Sequence, residues 1–179
     1  PANTMYRYSE NKGVEVYRKP SNFSNGLTID RNGRIVACEH LTRQVTRGSK
    51  DRTEVVVGHY NGKRLNSPND VIVASDGSII FTDPPFGLMK GLGGPAEQEL
   101  PFNAVYRVAP GAKDPVLLVD DFEAPNGLAL NPDESKLYID DTLCGHIRVF
   151  DVGPDWKLSG GDVLVELKGD GTGRPDGMK

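Results

Sequence analysis

The sequence predicts an all-β chain of the β-propeller kind, in which short antiparallel strands are gathered into four-stranded sheets. Three observations predict it. Apolar runs are short and separated by turn residues, with 21 Gly and 13 Pro scattered over 179 residues, the composition of many tight turns and not of a low-complexity tract. A motif opening on Asn25, Asn69, Asn126 or Asp176 returns at intervals of 44, 57 and 50 residues, close to the ~40–50 residues of one propeller blade. Each of the first three copies continues through a polar turn into a second apolar run and then a further pair of runs, so that every repeat holds four strands.

Taken in order, residues 1–20 carry MYRY and VEVYR, the outer two strands of one blade. A full blade is expected over about 23–66: NGLTI, the turn RNG, RIVACE, then VTR and TEVVVG. A second, over about 67–122, runs through NDVIV, the turn SDGS, SIIFTD, AVYRV and PVLLVDD. The third, over about 123–172, holds NGLAL, PDESK, KLYIDD, IRVF and DVLVEL, and residues 173–179 begin another first strand. Asn-Gly and Asp-Gly between alternating runs favour tight hairpins because both residues tolerate positive φ. Pro68 presets an extended lead into the second blade and gives up an N–H where no partner is needed. The whole is expected to form a single partial propeller domain, 1–179, about three and a half blades of a larger ring, since closure is what removes the sheet edges of such folds. Neither a WD dipeptide nor a kelch-like glycine doublet recurs at blade spacing.

Charge and hydropathy narrow the partners. Twenty-one basic against 25 acidic side chains give a formal net charge of −4, with no basic footprint for a phosphate backbone, so nucleic acid is not expected. No apolar run approaches the ~20 residues of a membrane span, so no membrane is expected. The expected compartment is the cytoplasm, with the periplasm or secretion as the alternative, because a leader would precede residue 1. Cys38 and Cys144 have no C-x-x-C spacing.

The chemistry is expected at one rim. Asn25, Asn69, Asn126 and Asp176 open the innermost strands and converge on the axis. The second strand of each hairpin returns Glu39, Asp83 and Asp141 to the same end, where solvated charge is their expected state. Amide and carboxylate oxygens converging from several blades suit a hard cation such as Ca²⁺; repeated turn chemistry is the alternative reading of the same residues. Cys38-Glu-His40 and Cys144-Gly-His146 have the residue types of zinc ligands, but their cysteines fall at different points of the blade, and no zinc site is expected there. The long segment PPFGLMKGLGGPAEQELPFN is expected to be either a lid, with Phe86, Leu88, Met89 and Phe102 facing substrate or packing the lid down, or a disordered insertion.

The stretches LNSPNDVIVASDGSIIFTDPPFG, APNGLALNPDESKLYIDDT and RPDGMK, joined by NGLTIDRNGRIVACEH and AVYRV, closely resemble the signatures of the gluconolactonase and senescence-marker-protein (regucalcin) family over essentially the whole chain. The resemblance implies a six-bladed propeller with a divalent metal in its channel, usually Ca²⁺, with Zn²⁺, Mg²⁺ or Mn²⁺ as alternatives, and hydrolysis of small lactones, sugar-acid lactones among them. It implies that Asn126 and Asp176 are metal ligands and that Asp176 also acts as general base. Asn69 would contact metal or substrate, and Asn25 would line the cavity. The family's remaining ligand, a glutamate, is expected before Pro1. Regucalcin-type members carry Arg where this chain has Ser67, which departs from their sugar-acid recognition. Phe86 and Met89 are expected substrate contacts. Asp70, standing where the other three copies have Gly, is expected to orient the site from behind. The alternative is a non-catalytic propeller that binds metal or a partner on the same rim.

Overall fold

In the computed structural model, which describes residues 3–94, 96–167, 169, 171 and 173–178, each repeat forms an antiparallel sheet whose strands lie in chain order. The first is β3 (Ser24–Ile29), β4 (Ile35–Glu39), β5 (Gln44–Gly48) and β6 (Thr53–Val57). The second is β9 (Val71–Val73), β10 (Ile79–Asp83), β11 (Asn103–Val108) and β12 (Val116–Phe122). The third is β13 (Pro125–Leu130), β14 (Lys136–Asp141), β15 (His146–Val152) and β16 (Leu158–Glu166). A hairpin of β1 (Met5–Ser9) and β2 (Gly13–Arg18) precedes them, and a ribbon of β7 (His59–Tyr60) and β8 (Lys63–Arg64) joins the first sheet to the second. No helix of the described residues is long and apolar enough to cross a membrane. Residues 1–2, 168, 170, 172 and 179, at the expected blade ends, and Pro95 in the long segment lie outside the described residues.

The hairpin turns form as their residues dictate. Asp30 accepts the N–H groups of Asn32 and Arg34, both at 2.9 Å, and Asp76 accepts that of Ser78 at 2.7 Å, while Gly33 and Gly77 take the positive φ those turns need. In the third hairpin Glu134 takes the positive φ, and its carboxylate reaches the neighbouring turn to accept from the N–H and hydroxyl of Ser75.

Two cores lie between successive sheets. Val36, Cys38, Val45 and Val57 of the first sheet meet Val71, Ile79, Phe81 and Tyr106 of the second. On the second sheet's other face Ile80, Val105 and Phe122 meet Leu128, Leu137, Ile139 and Phe150 of the third. β10 is therefore buried on both faces, which is why SIIFTD reads as a continuous apolar run and not as an alternation. The rings of Phe81 and Tyr106 stack at 5.4 Å, with Tyr60 and Phe102 beyond them.

The sheets also touch at the starts of their first strands. Pairing of β3 with β4 is irregular between Ser24 and Leu27, and that of β13 with β14 between Pro125 and Leu128, so Asn25-Gly26 and Asn126-Gly127 step out of the ladder toward the next sheet. Gly26 N–H donates to Asn69 O at 2.6 Å. A Cβ on Gly26 would lie 2.4 Å from that oxygen and 2.5 Å from Asp70 Cα, and one on Gly127 would lie 2.4 Å from Asp176 O. Neither glycine has positive φ. They are required by close approach and not by turn conformation, which corrects the reading of these two Asn-Gly pairs as turn devices.

The three carboxylates that end the second strands are buried, contrary to the expectation of solvated rim charge: Glu39 is 2%, Asp83 0% and Asp141 1% exposed. Glu39 accepts from Arg18, Asn22, Thr42 and Thr46. Asp141 accepts four backbone N–H groups, from Glu123, Ala124, Leu143 and Cys144. Asp83 accepts from Asn66 N–H at 2.8 Å. Each carboxylate binds the segment that leads into its own sheet's first strand, a contact between residues about 17 positions apart that composition does not reveal.

The long segment after β10 is tied to the first sheet. Ser67 Oγ donates to Pro84 O and accepts from Gly87 N–H, His40 Nδ1 lies 3.0 Å from Leu92 O, Arg43 reaches Glu97 O and the Glu99 carboxylate, and Leu100 is buried. Phe102 packs against the first core.

Two outcomes are expected. Burial pushes Asp83 up to about 7, against the opposing pull of the Asn66 and Ser67 N–H groups and of Arg43. The folded chain then holds a proton that the unfolded chain releases near pH 4, so stability falls as pH rises from about 4 to 7. Urea midpoints measured across that window should show a shallower fall in Asp83→Asn; an unchanged slope would refute the assignment. Gly26→Ala, which drives a methyl into the backbone of residues 69–70, should cost about 1–3 kcal/mol in the same assay.

Candidate functional site

The recess at the rim grows out of these strand starts. β3 packs beside β9 and β9 beside β13, so the four motif copies follow one another around an arc. A recess of about 260 Å³ opens there, walled by Asn25, Asn69, Asp70 and Asp176 with backbone of Gly26 and Gly177. Asn25 and Asp176 are exposed, whereas Asn69 and Asp70 are 3% and 4% exposed. A larger groove, about 530 Å³, runs between β6 and residues 109–114, but among its described residues no buried polar atom lacks a partner.

Hydrogen bonds set the positions of these groups. Asn69 N–H donates to Thr82 O at 2.9 Å, and Thr82 N–H donates to Asp70 O at 3.1 Å. The Thr82 hydroxyl accepts from Asp70 N–H and donates to Asn126 O at 2.8 Å, bridging the second sheet to the third. Asp70 Oδ1 accepts Val71 N–H.

Asn126 is 4% exposed. Its Nδ2 donates to Thr142 Oγ1 at 2.9 Å, and Thr142 Oγ1 donates to Pro175 O at 2.8 Å. A hydroxyl has one hydrogen, and that hydrogen is used on Pro175, so Thr142 must accept from Asn126; the amide nitrogen is thereby turned toward Thr142 and the oxygen away from it. Asn126 Oδ1 is left buried with no hydrogen-bond partner, a costly state for an amide oxygen unless something else binds it.

Asp140 adds a second such atom. It is 2% exposed, its Oδ1 has no hydrogen-bond partner, and its carboxylate lies against Gly127. Burial pushes it up to about 7; the carboxylates of Asp176, Asp70 and Asp141 push the same way and the Gly127 N–H pulls back. Two buried, unpartnered oxygens beside several carboxylates, with no histidine or cysteine among the described residues that line the recess, match the donor chemistry of a hard divalent cation. The residues present fit such an ion.

Of the residues singled out from sequence, Asn25, Asn69, Asp70 and Asp176 share the recess wall, and Asn126 lies behind it, joined through Thr142 to the residue before Asp176. Phe86 and Met89 lie apart. Phe86 opens a short 3₁₀ turn and is half-buried, Met89 is 52% exposed, and neither lines the recess. Sequence reasoning missed Asp140, Thr82 and Thr142. The signal for the first two was their shared place in the repeat, one position before the terminal carboxylate of the second strand, where the first blade has Cys38.

Comparisons with known proteins bear on the family and the fold. The sequence pattern of the SMP-30/gluconolactonase/LRE-like region matches residues 1–179. The gluconolactonase of Zymomonas mobilis is 35% identical over 99% of this chain and 56% of its own length. The structure of a gluconolactonase from Xanthomonas campestris superposes with a TM-score of 0.87 at 40% identity, covering 98% of this chain and 59% of that one. A calcium-binding regucalcin of Agrobacterium tumefaciens shares the fold at 16% identity, with a TM-score of 0.70 over 98% of this chain and 56% of that one. The chain thus spans somewhat under three fifths of these relatives' length, and by the match along its whole extent it belongs to the SMP-30/gluconolactonase/LRE-like family.

Proposed function

We propose that the chain carries the metal-holding wall of a lactonase, an enzyme that hydrolyses the ester bond of a small lactone such as a sugar-acid lactone with the help of a divalent cation, Ca²⁺ before Zn²⁺, Mg²⁺ or Mn²⁺. The observation that carries the reading is Asn126 Oδ1, buried, oriented by Thr142 and unpartnered. Support for the reaction comes from the gluconolactonases to which the chain is 35% and 40% identical.

Asn126 and Asp176 would hold the cation, with Asn69 on the same wall contributing its amide to the ion or to the substrate. A cation held there would supply Lewis acidity toward a lactone carbonyl oxygen. The residues do the rest. Asp176 is exposed on the recess wall, with Oδ1 accepting Gly177 N–H at 2.9 Å, and takes the proton of the attacking water. Asn25 borders the space left for the substrate. Asp70, pinned by Val71 N–H, holds the wall at the point where the other copies have glycine. Phe86 and Met89 lie off the recess, so their contacts are confined to substrates that extend beyond it.

A panel of γ- and δ-lactones, followed by pH-stat with and without chelator, tests the reading. Ring opening should be lost on chelation and restored by Ca²⁺; Asp176→Asn should lower turnover about 10²–10⁴-fold, and Asn126→Ala should weaken Ca²⁺ binding in calorimetry. Hydrolysis indifferent to chelator would remove the cation from the mechanism. Calcium binding with no ring opening of any lactone would favour a non-catalytic metal-binding protein.

A further inference from the structure

We propose a second metal site, for a borderline-soft cation of the Zn²⁺ class, in the turn that joins β14 to β15. Asp141 and His146 are directly paired across these strands, so their side chains stand on one face of the sheet. The turn between them closes through Gly145 N–H to Asp141 O at 2.8 Å, with Gly145 at φ +70°. Cys144 N–H donates to Asp141 Oδ1 at 2.9 Å, which brings the thiol back over that carboxylate. One ligand atom each from Asp141, Cys144 and His146 then lies within 4.8 Å of the others. Glu166 on β16 is paired with His146 from the other side and is exposed, extending the row by a further carboxylate.

The donor set is unlike that of the axial recess. A thiolate and an imidazole select Zn²⁺ and its neighbours in preference to Ca²⁺. Bonds of ~2.3 Å to sulfur and ~2.0 Å to nitrogen in a tetrahedral site draw the ligand atoms somewhat closer than they now stand, a change that side-chain rotation at a surface turn supplies. Cys144 is half-buried, is not in a disulfide, and borders an open recess of about 560 Å³ through which an ion can arrive. Asp141 is held in place by four N–H groups, two on each oxygen, so its coordination of the cation exchanges one of those hydrogen bonds for a metal bond, while Cys144 and His146 supply the stronger donors. Glu166 or water completes the coordination. The similar pair in the first sheet has no such arrangement: Cys38 is 0% exposed within the first core and His40 Nδ1 is engaged with Leu92 O. A metal at this turn would also stiffen the residue beside Asp141, Thr142, which orients Asn126.

The test uses the full chain saturated with Ca²⁺, so that the axial recess does not compete, and Co²⁺ as the spectroscopic stand-in for Zn²⁺. About one equivalent of Co²⁺ should produce a thiolate-to-cobalt charge-transfer band that Zn²⁺ abolishes. The band should vanish in Cys144→Ser, require about 10-fold or more Co²⁺ in His146→Gln, and persist in Asp176→Asn. Zn²⁺ should likewise slow alkylation of Cys144 by a maleimide in the wild-type chain. A band that survives in Cys144→Ser, or no band and no protection of Cys144 at excess metal, overturns the proposal.

Discussion

The arrangement depends on a sequence of hydrogen bonds that passes from sheet to sheet around the axis: Gly26 N–H to Asn69 O, the Thr82 hydroxyl to Asn126 O, and the Thr142 hydroxyl to Pro175 O. The first link joins the starts of two innermost strands directly, backbone to backbone. The other two are made by threonine hydroxyls at the ends of second strands, Thr82 on β10 and Thr142 just past β14, each reaching the lead into the next repeat. Apolar packing between the sheets brings these starts near one another, but packing is non-directional, and it is the hydrogen bonds that set which oxygen faces the recess.

That constraint has an electrostatic consequence. Holding four strand starts so close gathers Asp70, Asp140, Asp141 and Asp176 into a small volume in which Asp140 is buried and held well above the usual carboxylate range. The three carboxylates that end the second strands belong to a different category. Glu39 and Asp141 are saturated with donors, and Asp83 is buried behind Asn66, so they support the loops above them. Asp140 and Asn126 keep unsatisfied oxygens close to the recess, whereas the unpartnered Asp83 oxygen lies away from it behind Asn66, so an unsatisfied buried oxygen marks the site only where it stands beside the recess. Asp141 connects scaffold and site, since the turn it anchors carries Thr142 on one side and the Cys144–His146 pair on the other.

Much of this was legible in the residues. The recurrence of Asn25, Asn69, Asn126 and Asp176, each heading an apolar run, predicted both the strands and the rim at which they meet, because a repeat of four strands has few ways to bury its faces. The polar turns at RNG, SDG and PDES announced themselves through glycine, aspartate and serine chemistry. Loop length and apolar character single out Phe86 and Met89 but do not tell which neighbour a loop lies against; here Gly87 packs on His40 and Ser67, which carries the segment toward the first sheet.

What the sequence by itself determined was periodic: strand order, turn positions, and the residue types that open each innermost strand. Those follow from local preferences and from alternation, which are properties of neighbours in the chain. What only the tertiary structure decided was the state of each polar group once the sheets met. Asp83, Asp140 and Asp141 are identical letters on equivalent strands, yet one accepts four N–H groups and the other two keep a buried oxygen unpartnered. Glycines 26 and 127 resemble turn residues and are in fact spacers. The reason is physical: desolvation and hydrogen-bond satisfaction depend on which atoms of distant segments arrive within about 3 Å, and no pattern along a single chain encodes that arrival.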